Sequence, residues 1–81
     1  MTKSKYIIFE KRDIEMAVVF SPLLQHSEVK VEYGIPVSAG FCSIGREENA
    51  AYQTWGNSVS LKLESRPQDA EILNRYLEYD C

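Results

Sequence analysis

The sequence predicts a small α+β domain, in which a mostly antiparallel sheet of four to five strands carries one C-terminal amphipathic helix packed across it. Short runs rich in β-branched and aromatic residues, separated by polar or Gly/Pro breaks, fill most of the chain before residue 65. From Ala70 onward the apolar residues recur at intervals of three and four, as on one helix face. Strands followed by a helix are typical of two-layer α+β domains. Residues 1–81 are expected to form a single domain.

The first two predicted strands form a hairpin. KYIIFE, residues 5–10, and IEMAVVF, residues 14–20, are both rich in residues that favour strands. Only the polar residues 11–13 separate them, a spacing short enough for a tight connection. Alternate residues of the second run share one face: Ile14, Met16, Val18 and Phe20.

The segment after this hairpin is predicted to begin with a short helical turn, and two alternatives exist for the residues that follow it. Ser21 is able to cap a helix and Pro22 suits the first helical position, which favours a turn of helix through LLQHS. EVKVEY, residues 28–33, alternates charged and apolar residues, as a half-buried strand or an extended loop would. Both interpretations of this second segment remain open.

Two further strands are predicted in the centre of the chain. VSAGFCSI, residues 37–44, carries small residues in its middle that permit close packing by a larger neighbour. GREEN, residues 45–49, has no apolar anchor and is predicted as a turn or loop. AYQTW, residues 51–55, is the strand that follows.

The last predicted strand is SVSLKLE, residues 58–64. It follows Gly56 and Asn57, a pair suited to a primed hairpin turn. The alternative is one long strand with a bulge at Gly56. In either arrangement, strict alternation predicts that Val59, Leu61 and Leu63 face the core, while Ser58, Ser60, Lys62 and Glu64 face water.

The C-terminal helix is predicted over residues 66–79. Ser65 can cap it, and Pro67 fits the first turn because its missing N–H costs nothing there. Asp69 adds negative charge near the positive end of the helix dipole. The apolar stripe consists of Ala70, Leu73 and Leu77, with Ile72 and Tyr76 beside it.

Charge and hydropathy exclude several classes of function. Lys and Arg number 9 against 12 Asp and Glu, so the formal net charge of -3 supplies no basic field for non-specific nucleic-acid binding. The first apolar run ends after four residues, whereas a secretory signal needs about 7 to 15 and a membrane helix about 20. No membrane partner is expected. Cys42 and Cys81 are expected to be reduced thiols in a cytoplasmic protein.

The sequence offers no strong catalytic or metal-binding pattern. Cys42 with His26 is the thiol–imidazole candidate, yet the sequence neighbours of Cys42 supply no charge to depress the thiol pKa. One histidine and two distant cysteines cannot provide the four ligands of a closed zinc site. No glycine-rich phosphate loop is present. We therefore expect a non-enzymatic protein without metal or cofactor, and a Cys42-dependent enzyme remains a third hypothesis.

Two kinds of binding surface follow from the side chains. Aromatic residues on an exposed sheet face could stack nucleobases, with few cations near them apart from Lys5 and Arg46. An acidic domain could instead present carboxylates to a basic protein surface. The stacking candidates are Tyr6, Phe41, Tyr52 and Trp55, and the residues singled out for interaction are Arg66, Trp55, Tyr52, Glu47 and Glu48.

Two further predictions concern Arg66 and the open edges of the sheet. The helix cap and dipole do not account for Arg66, and its simplest role is a surface pair with Glu64 or Asp69, a contact of small energy. A sheet this small leaves a second face or an edge open. Self-association through an edge strand, giving a homodimer, is therefore a further hypothesis.

AGFCSI, residues 39–44, and WGNSVSLKLESRPQDAEIL, residues 55–73, resemble segments of small uncharacterised proteins encoded by bacteriophages and prophages. The similar layout is an N-terminal hairpin, an SAGF-type strand, and a G-x-S-x-S-L strand that runs into an S-R-P-x-D-A helix start. The resemblance covers about half of the chain, and its motifs are structural. It implies a phage or prophage origin and a bacterial cytoplasm, and it supplies no activity and no site residues.

The leading functional prediction is a phage-type or prophage-type accessory protein that binds another protein or a second copy of itself. A regulator that binds single-stranded nucleic acid on sheet aromatics is the alternative. A salt-dependent shift in a gel assay would favour the nucleic-acid alternative, and no binding at low salt would remove it.

Overall fold

The computed structural model describes residues 3–29, 34–44 and 51–79, and these form the predicted α+β domain. Strands β1 to β4 make one antiparallel sheet in the order β2-β1-β3-β4, and β5 pairs with β6 in a separate short ladder. One helix, α1, follows the strands. In chain order the elements are β1 (Lys3–Lys11), β2 (Ile14–Phe20), a 3₁₀ turn (His26–Glu28), β3 (Ile35–Ile44), β4 (Tyr52–Trp55), β5 (Asn57–Ser58), β6 (Leu63–Glu64) and α1 (Asp69–Tyr79).

The predicted hairpin of β1 and β2 is confirmed. Its two-residue loop is Arg12 and Asp13, with φ angles of 53° and 66°. Positive φ at both central residues is what a type I′ turn requires, and the twist of that turn matches the twist of paired strands. Pairing then runs without a break from Lys11 opposite Ile14 onward.

The sheet buries a different apolar cluster on each face. We call the side covered by α1 the helix face and the other side the opposite face. Cross-strand partners share a face, and successive residues of a strand alternate between faces. The helix-face cluster consists of Tyr6, Ile8, Cys42, Ile72 and Leu73, and the opposite-face cluster of Ile7, Phe9 and Ala39 with Val18, Phe20, Val29, Leu61 and Leu63 packed against it.

Gly40 in β3 allows the close packing predicted for the small residues of this strand. A Cβ atom at Gly40 would lie 2.5 Å from the backbone carbonyl oxygen of Trp55. Only glycine fits at this distance without a shift of the backbone. The chain can therefore leave β4 directly beside the middle of β3.

The structure corrects the prediction for the stretch from Ser58 to Leu63. A turn occupies residues 59–62, with the N–H of Lys62 donated to the carbonyl of Val59 at 3.3 Å and Lys62 at a φ of 58°. The turn breaks the strict alternation, so Val59 is 84% exposed, whereas Ser58 is buried. The buried hydroxyl oxygen of Ser58 accepts the N–H of Leu61 at 3.2 Å inside the turn, so it is not left unpaired. Leu61 and Leu63 pack against the opposite face as predicted.

Gly56 is not a hairpin turn, so the primed turn predicted there is wrong. Strand β4 pairs with β3, and β5 pairs with β6. Gly56, at a φ of 78°, instead forms the bend between β4 and β5. Its positive φ is one that glycine adopts without a steric cost.

The helix begins later than predicted. Asp69 is its first residue, and a turn from Arg66 to Asp69 that contains Pro67 precedes it. The hydroxyl of Ser65 donates to the carbonyl of Gly56 at 2.8 Å, so it does not cap the helix. The carboxylate of Asp69 accepts the N–H of Arg66, three residues before it, at 2.9 Å, as the acidic residue of a capping box does.

The segment after β2 forms turns, as its serine and proline predict. The N–H of Leu23 donates to the hydroxyl oxygen of Ser21 at 3.2 Å. The 3₁₀ turn His26–Glu28 follows and packs on the opposite face of the sheet. Residues 30–33, the greater part of the strand-or-loop segment, lie outside the described residues.

Candidate functional site

The candidate site is an aromatic and cationic surface on the opposite face. We call the group formed by Lys3, Lys5, Phe41, Trp55 and Val59 the Trp55 surface. Phe41 and Trp55 are direct cross-strand partners in β3 and β4. Their rings stack with centroids 6.3 Å apart and 23° between the planes. Trp55 stays 41% exposed, so an aromatic pair is accessible from solvent.

Two ammonium groups flank this aromatic pair. The Nζ atom of Lys3 lies 4.9 Å from the ring centroid of Phe41, and that of Lys5 lies 5.9 Å from it. Lys3 and Lys5 are alternate residues of β1, so their side chains lie on the same face of the sheet. Phe41 of β3 is the cross-strand partner of Lys5, and both ammonium groups lie near its ring. Lys5 is also fixed by donating to the carbonyl of Leu24 at 2.7 Å. The local charge is therefore positive on a chain whose net charge is -3.

A groove of about 370 Å³ opens beside the aromatic pair. Phe41 and Val59 supply apolar walls, and Val59 projects from the turn between β5 and β6. The volume falls at the small end of the range for ligand pockets, which also combine apolar walls with a few polar groups. The remaining lining residues are Lys5, Gln25, His26, Asn57 and Ser60.

His26 is a structural residue at the base of this groove. Its Nε2 donates to the carbonyl of Gly40 at 2.9 Å, and its ring meets the edges of Phe20 and Phe41. Burial lowers the pKa of His26; the Gly40 hydrogen bond acts against this shift and the nearby Lys5 charge adds to it. The imidazole is therefore neutral at pH 7, with its proton on Nε2.

Cys42 and His26 do not form a catalytic pair. Cys42 belongs to the helix-face cluster, whereas His26 contacts Phe41 on the opposite face. Burial also raises the pKa of the Cys42 thiol to about 11, the opposite direction from that of a nucleophilic cysteine. The sheet itself separates the two groups.

A buried polar network lies on the helix face, and its centre is Asp69. This carboxylate is fully buried and accepts the hydroxyl of Tyr6 at 2.6 Å and the hydroxyl of Ser38 at 2.9 Å. It also accepts the backbone N–H and the Nε of Arg66, each at 2.9 Å. Burial raises the pKa of Tyr6, and the hydrogen bond to Asp69 adds to the shift, so the phenol keeps its proton.

Arg66 holds the start of α1 against the edge of the sheet. It forms ion pairs with Asp69 and with Glu15 of β2. Burial alone would lower the pKa of Arg66, but the hydrogen bonds with Glu15 and Asp69 outweigh it and the pKa is raised. The predicted pair with Asp69 is confirmed, although this partner is buried rather than on the surface. Arg66 therefore lies on the helix face, away from the Trp55 surface.

The structure separates the other residues singled out from the sequence. Tyr52 is half-buried against the helix-face cluster, and its backbone N–H donates to Oδ1 of Asn74 at 2.7 Å. Tyr6 is fully buried and cannot stack a ligand. Glu47 and Glu48 lie outside the described residues. Of the stacking candidates, Phe41 and Trp55 remain on one surface.

Sequence reasoning missed Lys3 and Val59 as members of this surface. Lys3 and Lys5 share a face by simple alternation, a signal that is readable in the sequence. Whether Phe41 lies on the same face depends on the register of β1 against β3. The local sequence does not determine this register. The alternating pattern predicts Val59 in the core, because the turn at residues 59–62 contains no glycine or proline to mark it.

Comparison of the chain with protein-family models, curated proteins and solved structures gives no match. Within the described ranges, no three His, Cys, Asp or Glu side chains converge to hold a metal ion. In the same part of the chain, no helix is both long enough and apolar enough to cross a membrane.

Proposed function

We propose that this protein is a non-enzymatic module that binds another protein through the Trp55 surface. The observation that carries the proposal is the exposed Trp55–Phe41 stack beside an open groove, flanked by Lys3 and Lys5. Tryptophan is among the residues that contribute most to binding energy at protein interfaces, especially beside a pocket with a polar rim.

The chemistry of the surface indicates the kind of partner. Val59 and Trp55 offer apolar area for a large apolar side chain, while the two ammonium groups favour a carboxylate beside it. The partner segment would therefore carry an apolar anchor next to Asp or Glu. Because the whole chain is acidic, this attraction acts at short range and would weaken at high salt.

The wider setting is part of the same proposal. An accessory role in the bacterial cytoplasm, in a protein of phage or prophage type, rests on the sequence resemblance of residues 39–44 and 55–73. The binding surface itself does not depend on that origin.

Site-specific photo-cross-linking tests the proposal. A benzoyl-phenylalanine placed at Val59 should capture a discrete protein in bacterial cells, because this side chain projects beside the groove. The matched position is Glu71, an exposed residue of α1 on the other side of the sheet. The adduct should disappear in Trp55→Ala and weaken in Lys5→Gln. Equal capture from both positions, or an adduct that survives both substitutions, would contradict the proposal.

Single-stranded nucleic acid is the second candidate for the same surface, because two lysines lie beside the aromatic pair. Trp55 is the single tryptophan of the chain, so its fluorescence reports on this surface directly. Saturable quenching by oligothymidylate that weakens as salt rises would favour nucleic acid over protein. No quenching at low salt would remove this candidate.

A further inference from the structure

Strand β2 is an edge strand whose residues after Glu15 lack the usual protection. Among the described residues, β1 is the strand that pairs with it, and its far side faces away from the sheet. Proteins commonly protect such edges with lysine, proline, a bulge or a short strand. IEMAVVF has seven residues, no lysine and no proline, and it pairs with β1 in unbroken register. Its single charged residue, Glu15, lies near the start of the strand and forms an ion pair with Arg66. This edge can accept another strand.

The hairpin geometry fixes which backbone groups face outward. In a two-residue hairpin the pair flanking the loop, Lys11 with Ile14, is hydrogen-bonded, and bonded pairs then recur at every second residue. Val18 therefore directs its N–H and C=O toward β1. Ala17 and Val19 direct theirs away from the sheet. The outward groups thus lie symmetrically on either side of Val18.

We propose that β2 pairs antiparallel with β2 of a second copy, across a twofold axis at Val18. In this register Ala17 of one protomer lies opposite Val19 of the other, and each pair exchanges two N–H···O=C bonds. Val18 meets Val18 of the second copy as a non-bonded pair with adjacent side chains. The two four-stranded sheets then form one continuous sheet of eight strands.

The side chains of β2 are complementary to those of β2 in a second copy. On the opposite face, Met16 and Phe20 lie across from each other around the Val18 pair, so apolar groups meet apolar groups. Val19, which is 41% exposed, becomes covered. In this register Glu15 lies beyond the end of the second copy's β2, so its ion pair with Arg66 is retained. No like charges oppose each other within this register, and the contact is isologous as a twofold dimer needs.

The pairing leaves the Trp55 surface open. The aromatic pair of that surface, Phe41 and Trp55, lies on β3 and β4, toward the edge of the sheet remote from β2. A dimer would therefore present two Trp55 surfaces at its outer ends and could bind a repeated partner bivalently. The dimer does not require the proposed function, because it depends on β2 alone.

Sedimentation equilibrium from low to high micromolar concentration tests the dimer. The mass of the wild-type chain should rise toward twice that of the monomer. Val19→Lys should weaken the association about tenfold or more, because a charged edge side chain opposes strand addition. Val59→Lys adds the same charge at a more exposed position outside β2 and should leave the association unchanged. A wild-type monomer at all concentrations, or equal weakening by both variants, would overturn the proposal.

Backbone amide exchange gives a second reading that needs no substitution. The amides of Ala17 and Val19 should exchange rapidly at low concentration and become protected as the dimer forms. The amide of Val18, bonded to β1, should be protected throughout. A dimer that forms without protection of Ala17 and Val19 would use another surface, and the inference would fail.

The register is tested with a single cysteine. A non-bonded antiparallel pair brings its Cα atoms to about 4.5 Å, within the range of a disulfide. In a Cys81→Ser background, Val18→Cys should therefore form a covalent dimer on oxidation. Leu23→Cys, at a side chain that is 92% exposed, is the control for random collision. Equally fast cross-linking at both positions would exclude a twofold axis at Val18.

Discussion

The hydroxyl of Tyr6 donates a 2.6 Å hydrogen bond to Oδ2 of Asp69, and both side chains are fully buried. Tyr6 lies in the second strand of the sheet from the β2 edge, and Asp69 is the first residue of α1. The bond therefore joins the start of the helix directly to the sheet. A buried carboxylate with four donors stabilises one arrangement of these elements, because any other arrangement leaves polar groups unpaired.

Removing this network should destabilise the fold in a graded way. Tyr6→Phe removes one donor and should lower the free energy of unfolding by about 1 to 2 kcal/mol. Asp69→Ala leaves the Tyr6 and Ser38 hydroxyls unpaired and should cost about 3 kcal/mol or more. Glu71→Ala removes an exposed carboxylate from the same helical turn and should change stability by less than about 0.5 kcal/mol. Urea unfolding measures all three, and similar losses for Asp69→Ala and Glu71→Ala would contradict the role of the network.

The thiol of Cys42 should react very slowly in the folded protein. Its pKa of about 11, against an ordinary 9.0, leaves about a hundredfold less thiolate near pH 8, and burial restricts access further. In a Cys81→Ser background, labelling by an aromatic disulfide reagent should become fast only after urea is added. Labelling of the folded protein as fast as free cysteine would revive the hypothesis of a Cys42-dependent enzyme.

Stability should fall on mild acidification because of His26. The folded state lowers the pKa of this group below 6.5, so below that pH the unfolded chain binds more protons than the folded one. The free energy of unfolding should therefore decrease as pH falls from about 7 toward 5. His26 is the single histidine, so His26→Gln should be less stable at pH 7 but show a shallower slope. Identical slopes would mean that His26 is not held neutral.

Glycine at the hairpin loop should stabilise the domain. Asp13 has a φ of 66°, a conformation that side chains with a Cβ adopt at a cost, and type I′ turns prefer glycine at this position. Asp13→Gly should raise the free energy of unfolding by about 0.5 kcal/mol. Lys11→Gly, in the extended strand beside the loop, should lower it by about 1 kcal/mol. Thermal unfolding would contradict this account if both substitutions acted in the same direction.

The local sequence correctly predicts the limits of an element where its start and stop signals agree. The limits of β2 match the predicted residues 14–20, because the polar residues 11–13 precede the strand and Ser21-Pro22 follows it. The predicted start of α1 is too early because Ser65, Arg66 and Pro67 have the composition of a cap and a first helical turn. Ser65 does not cap the helix because its hydroxyl donates to the carbonyl of Gly56, a contact that exists only in the folded chain.

The candidate site was predictable only in part for the same reason. The residue type predicts Trp55 as a contact residue, and Lys5 is one of the few cations that the sequence places near the aromatic residues. The spacing predicts the pair of Arg66 with Asp69, but it indicates neither the second partner, Glu15, nor the burial of Asp69. An acidic residue in a first helical turn normally faces water. Asp69 is buried instead, because strands that are distant in the sequence place the hydroxyls of Tyr6 and Ser38 beside it.

The bond between Tyr6 and Asp69 also bears on how the chain folds during synthesis. Sixty-three residues separate the two partners, so β1 and β2 can pair long before the polar network is able to form. Contacts of such large sequence separation slow folding, and exposed apolar strands on a nascent chain favour aggregation. Until Asp69 leaves the ribosome, Tyr6 and its apolar neighbours stay uncovered on the helix face. The fold should therefore be completed only after α1 has emerged, when Asp69 can accept the hydroxyl of Tyr6.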